Sequence, residues 1–332
     1  MTIYAAAWEA DSVVTSIGTL LHDAVTTSRD TAYTNVQLYA QYGAREFYVP
    51  FNAALSEVWI HFTWATALDY SALTNAVFSM RNGSSLEYRL AGNGVGSSGV
   101  WNFQKTTDGT TWTTLFTIAN AASTPQVGNV FDFHIKPHAT TGFVHVYNAG
   151  MLVAAYDGNT SAQTNLIDRL HLDGHYNGGQ NAFTEFIVAD VPTIAWRLQA
   201  LSPNAAGTYS EWTGSYTDVS ETILNDTTFI VSNVVNNRFL ANTVDPTTTT
   251  LGSREVKAVV TATRIMRSAD ATPADAQHLV RTNGGDYVSA NLGLAADGAI
   301  RTKITVWETN PSTSVKWTLA EGAALQVGVK AV

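Results

Sequence analysis

The stretch HLDGHYNGGQN, residues 171–181, holds the densest group of side chains that could bind a ligand. A tyrosine ring can pack on the apolar face of a sugar, while neighbouring amide, imidazole and carboxylate groups bond its hydroxyls. Glycine and asparagine are equally typical of a plain turn, because both tolerate positive φ. Both interpretations stay open. The candidate glycan-binding residues are Asp173, His175, Tyr176, Asn177 and Gln180.

Carboxylates are the next candidates for catalytic groups. Glycoside hydrolysis needs two carboxyl groups close together, one of which acts as the acid. Asp132 stands alone in its stretch, and Glu185 and Asp190 flank a strand but lie too far apart to form such a closely spaced pair. Serine-hydrolase, phosphate-loop and zinc-protease motifs are absent from the sequence. We therefore expect no catalytic residue, no cofactor and no enzyme activity, and a polysaccharide-degrading enzyme remains the alternative from another class.

His134, His138 and His145 are close in sequence and lie around a predicted reversal of the chain. Three imidazoles near one hairpin end could hold a metal ion. Half-exposed histidines on strands and loops explain the same spacing, and no acidic ligand is obviously fixed beside them. The sequence therefore predicts no metal site.

Tryptophans at strand positions indicate a sandwich core or a subunit interface, because a large ring fills such spaces. The residues with this expectation are Trp59, Trp101, Trp112, Trp307 and Trp317. Trp64 and Tyr70, around the acidic loop ATALDY, are candidates for exposed platforms instead.

Several of these candidate side chains must be positioned by one stretch, residues 129–156, NVFDFHIKPHATTGFVHVYNAGMLVAAY. Large apolar residues alternate with polar ones over Val130–Ile135 and Phe143–Tyr147, and Met151–Tyr156 completes the unit. Alternation with glycine and asparagine at the reversals predicts three antiparallel strands. One face of such a sheet needs a cover, and a second sheet is the simplest one, so this stretch predicts a β-sandwich.

Composition narrows the class of protein. The 332 residues are 45% hydrophobic and only 14% charged, which favours a well-packed chain whose polar surface comes from Thr, Ser and Asn. A net charge of −9 without a basic cluster argues against nucleic acid as a partner. The chain has no cysteine, no secretory signal pattern and no apolar run long enough for a membrane span. We expect synthesis in a cytoplasm and no membrane insertion.

The second half resumes as strands after a proline-containing stretch near residue 200, which predicts domains over residues 1–200 and 201–332. Residues 227–235 and 254–266 are the clearest predicted strands there, and residues 317–324 are a candidate for a short helix. The chain ends on an apolar strand over residues 325–332. This strand would leave an unprotected edge in a monomer, so we predict an oligomer interface at Leu325, Val327, Val329 and Val332.

Two resemblances cover roughly residues 55–332. The runs VFSMRNGSSLEYRLAG and VFDFHIKPHATTGFVHVYNAGMLVAAYDGNT resemble concanavalin A-like lectin/glucanase sandwiches in their laminin-G-like form. The runs ALSPNAAGTYSEWTG, LVRTNGGDYVSA and VWETNPSTSVKWTLAEGAALQVGVKAV resemble a C-terminal module of tailed-phage virion proteins.

The resemblances imply an all-β chain: a concanavalin A-like β-sandwich (jelly roll) followed by a second, smaller antiparallel β-sandwich domain. They also imply a structural component of a phage virion, on the tail or as a fibre, that contacts the host surface or its glycans. The expected partners are other virion proteins, copies of the chain itself as a homotrimer, and a host surface glycan. A capsid decoration protein is the main alternative.

Overall fold

The computed structural model describes residues 1–7, 14–17, 21–22, 38–40, 46–66, 76–92, 101–118, 129–173, 181–221, 226–246, 254–269 and 272–332. They form two compact units, residues 1–198 and residues 199–332. Regular structure is almost entirely antiparallel β-strand in both units, so the predicted all-β class is confirmed. Over these residues, no helix is long and apolar enough to cross a membrane.

The first unit is built from two large antiparallel sheets. Its described strands are β1 (Ile3–Ala7), β2 (Val14–Ile17), β3 (Leu21–His22), β4 (Leu38–Ala40), β5 (Glu46–Leu55), β6 (Val58–Thr66), β7 (Ala76–Asn82), β8 (Ser85–Gly92), β9 (Trp101–Lys105), β10 (Thr113–Ile118), β11 (Asn129–Lys136), β12 (Gly142–Asn148), β13 (Met151–Gly158), β14 (Ile167–Asp173) and β15 (Asn181–Ala189). An eight-stranded sheet has the order β13-β12-β11-β6-β15-β4-β3, with β1 also paired to β15. A seven-stranded sheet has the order β10-β9-β8-β7-β14-β5-β2.

The predicted meander is the edge of the eight-stranded sheet. Strands β11, β12 and β13 pair in sequence, and the tight turn before β13 has Ala149 at φ 48° and Gly150 at φ 81°. Two successive positive φ angles are those of a type I′ turn, whose twist matches the flanking strands. The two sheets face each other as a concanavalin A-like β-sandwich, as predicted.

Aromatic rings fill the space between the sheets. Phe62 and Phe133 from the eight-stranded sheet meet Phe78 of the seven-stranded sheet, with ring centroids 5.6 Å and 5.1 Å from it in edge-to-face geometry. Such contacts add about 0.5–1.5 kcal/mol per pair to the burial of the rings. This core fixes which side of each strand points outward.

The expectation that Trp64 is an exposed platform was wrong. Its side chain is 2% exposed and stacks on Phe183 in the sandwich core, with ring centroids 6.2 Å apart. Tyr70 lies outside the described residues. Because β6 carries bulky residues at nearly every position, alternation alone could not show which set faces inward.

The other tryptophans divide between core and surface. Trp101 is in the sandwich core, as expected. Trp59 is buried on the outer face of the eight-stranded sheet, where it stacks on His134 at 4.1 Å. Trp112 is half-buried on the outer face of the seven-stranded sheet, so it is not a sandwich-core residue, and the alternative of a subunit interface stays a prediction.

The second unit has a smaller antiparallel architecture. Its described elements are β16 (Pro203–Ser210), a 3-10 helix (Tyr216–Val219), β17 (Arg238–Thr243), β18 (Val259–Ile265), β19 (Ala276–Thr282), β20 (Gly285–Asn291), β21 (Arg301–Trp307), α1 (Leu319–Ala323) and β22 (Gln326–Ala331). Five strands form a sheet in the order β16-β17-β22-β19-β20, and β18 pairs with β21. Trp317 and Leu325 are buried in a cluster that also contacts Val259 and Trp307, which joins the two sheets through a shared core.

The predicted free C-terminal edge was wrong. Strand β22 lies in the middle of the five-stranded sheet and pairs with β17 on one side and β19 on the other. Leu325 and Val329 are buried within the unit, and Val327 packs partly buried against the same core as Leu325. Val332 is tied to Asp275 by two backbone hydrogen bonds. A subunit interface at these four residues stays a prediction, but β22 does not have the unprotected edge from which we inferred it.

Residues 227–235 were predicted as a strand and are not one. They make one isolated bridge, between Val231 and Thr213, and leave Phe229, Val231, Val234 and Val235 exposed. The short helix α1 does form within residues 317–324. Thr318 caps it, because its hydroxyl accepts a hydrogen bond from the Glu321 backbone N–H while the Glu321 carboxylate bonds back to Thr318.

We expect the second unit to lose stability as the pH falls from about 6.5 to about 4. His278 is fully buried between the hydroxyls of Thr263 and Thr305, and burial lowers its pKa from 6.5 to about 4. Between these pH values the unfolded chain binds a proton that the folded unit does not, which costs about 3 kcal/mol in all.

Urea unfolding of the second unit at pH 6.5, 5 and 4 measures this loss. His278 is the single histidine after residue 199, so the His278→Gln variant should flatten the pH dependence over this window. A wild-type midpoint that stays constant over the same window would contradict the prediction.

Candidate functional site

A row of polar and aromatic residues crosses the outer face of the seven-stranded sheet. Antiparallel register places them side by side on six successive strands. We call these residues the polar row: Tyr48 on β5, His171 on β14, Ser79 on β7, Arg89 on β8, Gln104 on β9 and Thr114 on β10.

Alternation along each strand explains why these residues face outward. Leu170 and Leu172 on β14 are buried in the sandwich core, so His171 between them points to the opposite face. Leu90 on β8 and Phe103 on β9 do the same for Arg89 and Gln104. The polar row is therefore a direct product of the hydrophobic pattern that folds the sheet.

One end of the row is aromatic. The Tyr48 ring stacks on the His171 ring at 4.9 Å, and the Arg169 guanidinium lies 5.1 Å from the centre of the Tyr48 ring. His171 is largely buried, while Tyr48 is half-exposed. No hydrogen bond to the Tyr48 hydroxyl is found among the described residues. This end therefore presents the half-exposed Tyr48 ring and its hydroxyl to a ligand.

The other end is built around Arg89. Its Nε donates a hydrogen bond to Oε1 of Gln104 at 2.7 Å, and Gln104 Nε2 donates to Thr114 at 3.1 Å. The guanidinium carbon lies 4.0 Å from the centre of the Trp112 ring. A cation over an aromatic face is held by the charge distribution of the ring. Arg89 is thus fixed by contacts that leave both its Nη atoms without a partner in the described part of the chain.

Two further arginines lie near the middle of this face. Arg81 on β7 lies directly opposite Arg169 on β14, beside the polar row. Asp168 accepts hydrogen bonds from Arg169 at 2.7 Å and 3.0 Å. Burial alone would raise the pKa of Asp168, but the hydrogen bonds from Arg169 and from the Gly83 backbone lower it overall. The carboxylate therefore stays charged and compensates Arg169. Burial lowers the pKa of Arg89, and no carboxylate among the described residues bonds to it.

The predicted glycan loop touches this region through one residue. Asp173 is the last residue of β14, two positions beyond His171, and its Cα partner on β5 is Glu46. His175, Tyr176, Asn177 and Gln180 lie outside the described residues. The candidate set predicted from the sequence is thus located only at its first member.

The outer face of the eight-stranded sheet carries a different, buried set of polar groups. Asp132 Oδ1 is 2.8 Å from His61 Nδ1 and accepts a hydrogen bond from Thr193 at 2.7 Å. All three side chains are fully buried. Segment 190–198 supplies Thr193, so this contact fastens that segment to the sheet.

A second buried contact fastens the same segment. Glu185 sits at an irregularity of β15 with φ 58° and is fully buried. It accepts hydrogen bonds from Thr63 at 2.9 Å and from Arg197 Nε at 2.9 Å. The carboxylates of Asp132 and Glu185 are therefore engaged in holding the fold, and Asp190, at the start of the segment, accepts a bond from the Thr2 backbone.

The three histidines around the meander do not form a metal site. His134 bonds to Glu57 and His145 bonds to Asp157, each at 3.0 Å. His138 Nδ1 accepts hydrogen bonds from the backbone N–H groups of Thr140 and Thr141, which closes the turn. Within the described ranges, no three His, Cys, Asp or Glu side chains are grouped so that they could hold a metal ion.

Most of the polar row was not predicted from the sequence. The alternation in SLEYRLAG and WNFQK already marks Arg89 and Gln104 as facing away from the core. What it does not show is that β7 and β14 are neighbours, since they are far apart along the chain. The sequence pattern showed that these side chains face outward, but it did not show which strands lie side by side.

Comparison with known proteins gives no family. No protein-family model matches the chain, and no curated protein matches it.

Several solved structures have a similar fold but share little sequence with this chain. The globular domain of T. cruzi calreticulin has a TM-score of 0.44 at 11% identity and covers 58% of this chain and 90% of its own. The endo-β-1,4-glucuronan lyase of the fungus Trichoderma reesei has a TM-score of 0.42 at 13% identity, over 60% of this chain and 99% of the lyase. The binding domain of Paraclostridial Mosquitocidal Protein 1 has a TM-score of 0.37 at 10% identity, over 56% of this chain and 48% of that one. Values this low transfer no activity, ligand or partner to this chain.

Proposed function

We propose that the chain is a non-enzymatic surface protein of a tailed-phage virion, on the tail or as a fibre, whose first unit binds a glycan. The observation that carries the glycan part is the polar row, which combines a half-exposed tyrosine, a fixed arginine and amide and hydroxyl groups on one sheet face. Sugars offer apolar ring faces and many hydroxyls, and such a surface matches both.

The rigid setting of the row favours this function. Its residues stand on neighbouring strands of one sheet, so their spacing is fixed by backbone hydrogen bonds before any ligand arrives. A preorganised site loses less conformational entropy on binding than a site on flexible loops. Ser79 and His171 are buried, so an extended glycan would contact the row at its two ends.

The virion placement rests on the resemblance of the second half to phage virion modules. In this proposal the second unit contacts other virion proteins and further copies of the chain, as a homotrimer, while the first unit faces the host surface. A capsid decoration protein requires no ligand on the polar row, so the binding experiment separates the two functions.

Replacing Tyr48 by alanine is expected to weaken glycan binding about 2- to 10-fold, the size of one aromatic contact. The measurement is the dissociation constant for each member of a panel of neutral and acidic polysaccharides. Tyr147→Ala is the matched control, because Tyr147 stacks on Trp59 on the outer face of the other sheet. Its affinity should equal that of the wild type.

Tyr176→Ala provides the third arm of the same experiment. Loss of binding in Tyr176→Ala with none in Tyr48→Ala would place the site on the loop and not on the polar row. Absence of binding by the wild-type protein across the panel would remove the glycan function and leave the decoration protein. Release of reducing ends from a bound polymer would contradict the non-enzymatic assignment.

A further inference from the structure

We propose that the ligand of the polar row is an acidic glycan, and that Arg89 binds the carboxylate of one of its sugars. This inference rests on the proposed glycan-binding function and names the class of sugar. It is carried by the arrangement around Arg89, which differs from that of Arg169 on the same face.

Arg89 is held in place by neutral groups. Gln104 Oε1 accepts from its Nε, and the Trp112 ring covers the guanidinium plane at 4.0 Å. By contrast, Arg169 is paired through two hydrogen bonds with Asp168. The described residues contain no carboxylate bonded to Arg89. Among the described residues, Arg89 is therefore held by neutral groups alone.

The Nη donors of Arg89 have a definite geometry. With Nε used by Gln104, both Nη atoms remain, and a planar guanidinium presents such donors as a fork that matches the two oxygens of a carboxylate. A partly buried cation without a counter-charge is unfavourable, and a carboxylate on the ligand would compensate it. A neutral sugar hydroxyl would accept one hydrogen bond but would leave the charge uncompensated.

The surroundings of Arg89 favour an anion over a neutral ligand. Arg81 and Arg169 lie on the next two strands of the same sheet, opposite each other in register. Asp168 offsets the charge of Arg169, so what this face offers is a grouping of arginine side chains on a chain whose net charge is −9. A charged face of this kind also raises the association rate of an anionic polymer.

The test compares acidic polysaccharides with their own carboxyl-reduced forms. The probes are polygalacturonate, hyaluronan and polysialic acid, each before and after reduction of its carboxylates to alcohols. The wild-type protein should bind at least one acidic polymer about 10-fold or more tightly than its reduced form, as expected when a charge-assisted bidentate contact is lost. Dextran and dextran sulfate serve as neutral and non-carboxylate anionic controls.

Variants then assign the effect to Arg89. Arg89→Gln should weaken binding of the acidic polymer about 10- to 100-fold and bring its affinity close to that of the reduced form. Arg89→Lys keeps the charge but lacks the fork, and it should restore only part of the affinity. Arg301→Gln removes one exposed arginine from the second unit and should bind as the wild type does.

The outcomes separate this inference from the proposed function. Equal binding of acidic and reduced polymers, with Tyr48→Ala still weakening both, would overturn the acidic-glycan inference and keep the glycan site. Equal binding of dextran sulfate and the carboxylate polymers would also overturn it, because charge alone would then explain the affinity. Failure of every polymer, neutral and acidic, would overturn both proposals.

Discussion

The Gly328→Ala variant is expected to lose the folded second unit and to keep the first. A Cβ at position 328 would lie 1.9 Å from the carbonyl oxygen of Phe239 and 3.1 Å from Cα of Leu240. Both atoms belong to the backbone of β17, to which β22 is hydrogen-bonded. The clash cannot be relieved by a side-chain rotation, and separating the strands breaks the centre of the five-stranded sheet. We expect a cost of about 4 kcal/mol or more.

Amide hydrogen exchange measures this result separately in each unit. Protection should disappear in β17, β19 and β22 and persist in β6 and β11. Gly298→Ala is the control, because a Cβ added at that position meets no atom within 4 Å and its φ of +69° costs about 1–2 kcal/mol for an alanine. Native protection of β22 in Gly328→Ala would show that the strand is not packed as described.

The Glu185→Ala variant is expected to destabilise the first unit by about 3–5 kcal/mol, the usual cost of removing one partner of a buried ion pair. Glu185 is fully buried, and Arg197, whose side chain is 14% exposed, donates to both of its carboxylate oxygens. The substitution also removes the acceptor of the Thr63 hydroxyl. The measurement is the free energy of unfolding of the first unit in urea.

A double variant tests the cause of that loss. Glu185→Ala combined with Arg197→Met removes the buried cation as well, so it should be more stable than the sum of the two single variants predicts. Glu57→Ala is the exposed control, since its pairing with His134 and Lys136 is worth about 0–1 kcal/mol. A loss below about 1 kcal/mol in Glu185→Ala would show that the pair does not hold segment 190–198.

The local sequence pattern predicted where the strands lie better than it predicted which strands pair with each other. The meander of β11, β12 and β13 was recognised because its strands are consecutive and its turns have their own residue signature. Strand β22 was recognised as a strand, yet its place between β17 and β19 depends on pairing over long stretches of chain, which alternation does not encode. Such non-local pairing is where a single sequence gives least information.

The same limit explains why most of the candidate site was not predicted from the sequence. Outward-facing positions such as Arg89 follow from alternation with buried leucine and tyrosine on β8. The row across six strands requires the crossover that brings β14 beside β7. The wrong prediction of a strand over residues 227–235 has a different cause. β-branched and aromatic residues have strand propensity, but propensity does not guarantee a partner strand.

The middle position of β22 has a consequence for the order in which the second unit can form during synthesis. A ribosome adds about 5–20 residues per second, so several seconds separate the appearance of β17 from that of β22. During this interval β17 and β19 each lack the strand that later lies between them. The nascent chain therefore carries two open edges, and the growing polypeptide must be kept from mispairing, by its own hairpins or by a chaperone, until β22 closes the sheet.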